Sequence, residues 1–90
     1  MSVKINLSTI LSKYTSGQAV AEADGATVGQ CLDQLIERFP PLKEGLFDTV
    51  GKLHSYLDIY VNGKSAFPEE LGKPVKDKDE LRIVFLIAGG

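Results

Sequence analysis

Apolar and polar positions alternate with period two at the start of the chain, where Val3, Ile5 and Leu7 are separated by Lys4, Asn6 and Ser8. That is the pattern of a half-buried strand, and the apolar positions predict its continuation toward Leu11. Ser16-Gly17 supplies a turn, and a short strand follows over residues 18–23, whose small side chains leave open which face is buried. Asp24-Gly25 closes it. Thr27 and Gln30 then form a capping box, the side-chain pair that satisfies amides at the first turn of a helix. Val28, Cys31, Leu32, Leu35, Ile36 and Phe39 fall on one helical stripe, and Pro40-Pro41 ends it. Residues 42–54 are apolar only at intervals and are interrupted by Gly45 and Gly51, which predicts a loop with at most one short turn. Leu57, Ile59 and Val61 alternate with Asp58, Tyr60 and Asn62, and Asn62-Gly63 predicts a tight hairpin turn. The returning strand is a stub over residues 65–67, cut by Pro68 and therefore placed at a sheet edge. Residues 71–75 read as extended or irregular, and residues 77–80 as a charged turn. Residues 81–86 form a dense apolar strand suited to the middle of a sheet.

One long helix among four or five strands makes an α+β architecture in which a mixed sheet covers the helix stripe. The first and last strands, the most apolar, are expected to pair in parallel at its centre. A chain of 90 residues with 43% hydrophobic side chains is one small domain. At that size only about 60 to 65% of the unfolded surface is buried, which leaves no interior for an elaborate catalytic cavity. Ten Lys and Arg against twelve Asp and Glu give a charge of −2 without a basic run, which argues against nucleic acid as partner. No apolar run reaches membrane-spanning length. One cysteine cannot form an internal disulfide, and the first residues lack the pattern of a secretion signal. A cytoplasmic protein, monomeric when free, is the expectation.

The candidate chemistry is sparse. Cys31 lies in the helix stripe, where a cysteine behaves as a small hydrophobe, so a core role outweighs a nucleophilic one. His54 is the only histidine, which rules out a two-histidine metal centre and leaves it a structural or solvated loop residue, or one that positions its loop or meets a partner. Asp77, Asp79 and Glu80 are interleaved with Lys76 and Lys78 and read as a solvated turn rather than a cation site. No phosphate-binding glycine pattern is present and no metal or bound cofactor is expected.

What remains is the end, "DELRIVFLIAGG", an apolar strand that runs into Gly89 and Gly90. Chance alone gives two terminal glycines in about one chain in 200, so the doublet takes its weight from the element order that precedes it. That order resembles the β-grasp, or ubiquitin-like, fold. The tail "FLIAGG" is similar to those of the ThiS/MoaD family of ubiquitin-like sulfur carriers, and "GATVGQCLDQL" and "GKLHSYLDIYVNGK" resemble the cysteine-biosynthesis branch typified by CysO, so that the likeness spans essentially the whole chain.

The resemblance implies a β-grasp domain over residues 1–86 and a flexible tail over 87–90. It implies that the Gly90 carboxylate is adenylated by an E1-like partner that uses ATP, and that sulfur then displaces AMP to leave a thiocarboxylate. This donates sulfide to an acceptor enzyme in the biosynthesis of cysteine or a related metabolite, the chain itself being a protein cosubstrate and not an enzyme. Ala88 and Gly89 complete the thin arm, glycine having no Cβ to obstruct a narrow channel. Carriers of this family dock through the outer sheet face, which makes Tyr60, Arg82 and Val84 candidates for partner contact, with Phe85 and Ile87 against the partner where the strand gives way to the tail. Ordinary scattered surface apolarity is the competing explanation for these side chains. A ubiquitin-like modifier joined to lysines through Gly90 and a molybdopterin-synthase small subunit are the alternatives; Leu86-Ile87-Ala88, where the molybdopterin type tends to carry prolines, counts against the latter.

Overall fold

The computed structural model describes residues 2–67 and 69–85. The first strand, β1, is Val3–Asn6, with Val3 and Ile5 fully buried. It stops earlier than the alternation predicts, because residues 9–12 form a one-turn helix, α1 (Thr9–Ser12), and not a continuing strand. Ser8 caps that turn, its Oγ accepting the Leu11 N–H at 3.3 Å. The spacing of Leu7, Leu11, Tyr14 and Thr15 is helical, and burial of Leu11 and Thr15 fixes the turn against the core.

Strand β2 (Val20–Ala23) returns antiparallel to β1 and turns Ala21 and Ala23 inward, which settles its buried face. The main helix, α2 (Val28–Arg38), starts where the capping pair predicts. Thr27 Oγ1 accepts the Gln30 N–H at 3.2 Å, while Gln30 Oε1 accepts from the Ala26 N–H at 2.8 Å, one residue upstream of the usual capping-box partner. Val28, Cys31, Leu32 and Leu35 on its inner face are fully buried. Val28, Leu32 and Leu35 each contribute about 1.5–3 kcal/mol relative to exposure, more than the helix's intrinsic propensity supplies.

Residues 42–54 are more ordered than their interrupted pattern predicts. A five-residue helix, α3 (Leu42–Leu46), follows directly on Pro40-Pro41 and buries Leu42 and Leu46 one turn apart. Phe47 and Leu53 then form an isolated bridge across a loop organised by Asp48, whose Oδ1 accepts the Val50 and Lys52 N–H groups at 2.9 and 3.0 Å.

Strand β3 (Leu57–Val61) leads through Asn62 and Gly63, both at positive φ (51° and 87°), into the two-residue strand β4 (Lys64–Ser65). Positive φ at both central positions is what a type I′ hairpin requires, and Asn-Gly is the pair that accepts it at least cost. Pro68 lies outside the described residues. A 3₁₀ turn over Glu70–Gly72 leads to residues 73–75, which lace onto the start of α2 through Val28 N–H to Lys73 and Val75 N–H to Ala26 bonds of 2.9 Å each.

The last strand, β5 (Glu80–Phe85), lies at the centre of a five-stranded sheet of order β2-β1-β5-β3-β4, parallel to β1 and antiparallel to β3. Leu86, expected at its end, lies outside the described residues. Leu81 and Ile83 are buried beneath the sheet with Ile5 and Ile59. The turn before β5 departs from the solvated reading. Asp79 is only 8% exposed and ties two turns together, accepting the Asn62 side-chain amide at 3.0 Å and the Lys76 N–H at 2.9 Å.

Candidate functional site at the end of the central strand

The residues expected to carry chemistry, Gly90 with Ala88 and Gly89, and the expected contact residue Ile87, lie outside the described residues. What the fold places before them is β5, paired with β1 over its first half, Glu80 to Arg82, and with β3 as far as Phe85.

Along β5 the alternation divides the candidate contact residues. Arg82 is exposed and Val84 half-buried, and both project from the sheet face opposite to the core, where Tyr60 lies directly across from Arg82 and Asp58 across from Val84. Asp58 does not behave as the solvent-facing residue that its alternation predicts. It is 7% exposed, accepting the Ile59 N–H at 2.8 Å and the Ser65 hydroxyl at 2.7 Å, so its carboxylate is satisfied within the β3–β4 hairpin. Lys4 and Glu80 complete the polar part of this face with an exposed ion pair at 3.7 Å. A groove of about 410 Å³ runs beside it, lined in part by Leu7, Ile10, Val84 and Phe85.

Phe85 belongs to the other face. It pairs with Leu57 and packs against the core. Its ring stacks on Tyr56 at 5.7 Å and 12°, and Tyr56 stacks in turn on His54 at 4.7 Å and 13°. His54 is fixed at the far end, its N–H donating to Leu46 O at 2.9 Å and its Nε2 3.0 Å from Glu44 O. The lone histidine therefore positions its loop against α3. Tyr56 was not among the residues singled out from sequence; the i, i+2 spacing of His54 and Tyr56 was visible, but the Phe85 partner depends on strand register.

Cys31 has no exposed surface. Burial, with Asp24 nearby, pushes its thiol pKa up, the reverse of what a nucleophilic cysteine needs. Among the described residues no group of three or more His, Cys, Asp or Glu is placed to hold a metal ion, and no helix is long and apolar enough to cross a membrane.

Comparison with known proteins adds the family. A chain of the Amycolatopsis orientalis BexX/CysO complex superposes with a TM-score of 0.86 at 37% identity, over 98% of this chain and 99% of that one. CysO of Mycobacterium tuberculosis gives a TM-score of 0.86 at 32% identity over 94% of this chain and 99% of that chain. Small archaeal modifier protein 1 of Haloferax volcanii is 34% identical over 70 residues, 77% of each chain. These relatives share the β-grasp fold expected from the element order. With the ThiS family model matching residues 5–90, the chain belongs to the ThiS family of ubiquitin-like sulfur carriers.

Proposed function

We propose that the Gly90 carboxylate is the working group of this carrier. The observation that carries the reading is the family match, which runs through the fold and the tail to residue 90. An E1-like partner joins the carboxylate oxygen to the α-phosphate of ATP, releasing pyrophosphate. A sulfur nucleophile then attacks the acyl carbon and expels AMP, leaving a thiocarboxylate that hands its sulfur to an acceptor enzyme. A carboxylate is a poor acyl donor, and the anhydride with AMP supplies the leaving group that it lacks. ATP and the phosphate chemistry belong to the partner; the carrier contributes the terminus and the surface that identifies it.

The similarity to two CysO chains favours cysteine or a related sulfur-containing metabolite as the product. Dependence on ATP, together with a single cysteine that is buried and unpaired, fits a cytoplasmic setting. A second reading, conjugation of Gly90 to lysines of other proteins after the same adenylation, is favoured by the 34% identity to a modifier protein.

Incubation with ATP, a cognate adenylating enzyme and a sulfide source, followed by intact mass, separates the two. Exchange of one oxygen for one sulfur at Gly90 is the expected result, and the same spectrum reports whether Gly90 carries the free carboxylate that the chemistry requires. Protein-sized adducts on lysines without that exchange would replace the carrier reading with the modifier reading.

A further inference from the structure

We infer that Tyr56, held between His54 and Phe85, is the anchor by which the adenylating partner grips the root of the Gly90 arm; this rests on the reading that Gly90 is adenylated.

Five residues follow Phe85 up to Gly90, and an extended chain advances no more than roughly 3.6 Å per residue, so Gly90 cannot travel beyond about 18 Å from Phe85. An enzyme that encloses both the Gly90 carboxylate and ATP must bring its own surface within that distance. That reach is short enough for the enzyme's surface to meet the end of β5 and the side chains that stand beside Phe85.

The side chain standing there is Tyr56. It remains 44% exposed although a ring lies on either side of it, at 5.7 Å from Phe85 and 4.7 Å from His54. The column is braced at its base, because His54 is bonded through both its backbone N–H and Nε2 to carbonyls of α3. Tyr56 is thus an amphipathic ring on the surface whose orientation is set before binding. Tyrosines in that condition lose little rotamer freedom on docking and are favoured as binding hot spots. The implied surface on the enzyme is an apolar recess for the ring with a polar group at the phenol oxygen.

The test uses the intact carrier, the adenylating enzyme and ATP–pyrophosphate exchange, with KM for the carrier and kcat read separately. Tyr56→Ala is expected to raise KM by about tenfold or more, the scale of a hot-spot truncation, with kcat within about twofold, because the reacting carboxylate is untouched. Tyr56→Phe, which keeps the ring, should recover most of the loss. Val50→Ala, at a site 78% exposed, should match wild type. If the alanine variant shows no thermal unfolding transition, Tyr56→Lys serves in its place. Its stem still covers Phe85 while its ammonium is misplaced in an apolar recess, and the same rise in KM is expected. A wild-type KM in the Tyr56 variant, or a loss confined to kcat, overturns the inference and leaves the reading of Gly90 standing. A wild-type protein that is not adenylated removes both.

Discussion

At Asp79 and Asp48 hydrogen bonds to the carboxylate hold the pKa below the ordinary aspartate value. For Asp79 the leading donor is the Asn62 side-chain amide, followed by the Lys76 N–H; for Asp48 it is the Lys52 N–H. A depressed folded-state pKa means that the unfolded chain binds the proton more tightly. The stabilisation is therefore complete above the ordinary value of about 3.9 and is lost as pH falls through the lower folded-state value. A series of thermal midpoints should be flat near neutrality and drop on the acid side of about pH 4, and Asp79→Asn should shallow that drop while lowering the midpoint at neutral pH. Gly25 makes a different demand. A Cβ there would lie 2.9 Å from the Cys31 backbone nitrogen and 2.9 Å from Gln30 Cβ, in the first turn of α2, where neither atom can swing aside. Gly25→Ala should accordingly cost about 1–3 kcal/mol, as overpacking does, although alanine normally stiffens a chain favourably; urea unfolding measures it. Neither feature was legible in the sequence. Alternation assigns Asp58 to solvent and the interleaved lysines do the same for Asp79, and what permits their burial is a partner elsewhere: Ser65 for the one and Asn62 for the other.

Among the elements, legibility followed the length of the repeat. The stripe from Val28 to Phe39 spans three turns and carried its own cap, so α2 was readable with its start. Asn62-Gly63 was equally readable, because a positive φ at both positions is demanded of few pairs other than this one. The short helices α1 and α3, of four and five residues, fall below the length at which a period can be recognised, and both exist because tertiary burial of Leu11, Leu42 and Leu46 holds them. Strand β2 shows how an element at the border of a sheet is protected. Its edge away from β1 presents Glu22 O, which accepts from the Arg38 guanidinium, and the following Asp24 N–H donates to Gln34 Oε1 at 2.8 Å, so two side chains of α2 occupy backbone groups open to strand addition. The double variant Gln34→Ala/Arg38→Ala should lose about 1–2 kcal/mol from these bonds and, with its edge uncovered, should show concentration-dependent self-association in sedimentation velocity beyond that of the wild type. An unchanged sedimentation profile would mean that the short length of β2, and not its side-chain cover, keeps the edge solitary.

For the molecule as a whole, the central position of β5 separates two tasks that a carrier must keep apart. The strand is paired with β1 from Glu80 to Arg82 and with β3 from Leu81 to Phe85, and its inward side chains Leu81 and Ile83 are within the core, so the described residues by themselves fix the strand in the fold. The family and architecture were legible from the end of the chain read together with this order of elements; the column of His54, Tyr56 and Phe85 was not, because it joins a loop to a strand through a register that only the assembled sheet defines. From this division follows an expectation about the arm. Deleting Gly90, or adding one alanine after it, changes none of the core residues named above, and substitutions away from a packed core commonly move stability by no more than about 0.5 kcal/mol. For a domain of this length that is a thermal shift of less than about 4 °C. Activation should respond quite differently: deletion shortens the reach by one residue and places the Gly89 carboxylate where the Gly90 carboxylate is needed, and extension puts a methyl group beside the reacting carbon, so pyrophosphate exchange should fall by two orders of magnitude or more, as misplacement of a reacting group by about 1 Å can cause. Calorimetry and exchange on the same preparations decide the matter. A large thermal shift would show that the arm belongs to the fold, and undiminished exchange would show that the partner does not read the terminal carboxylate.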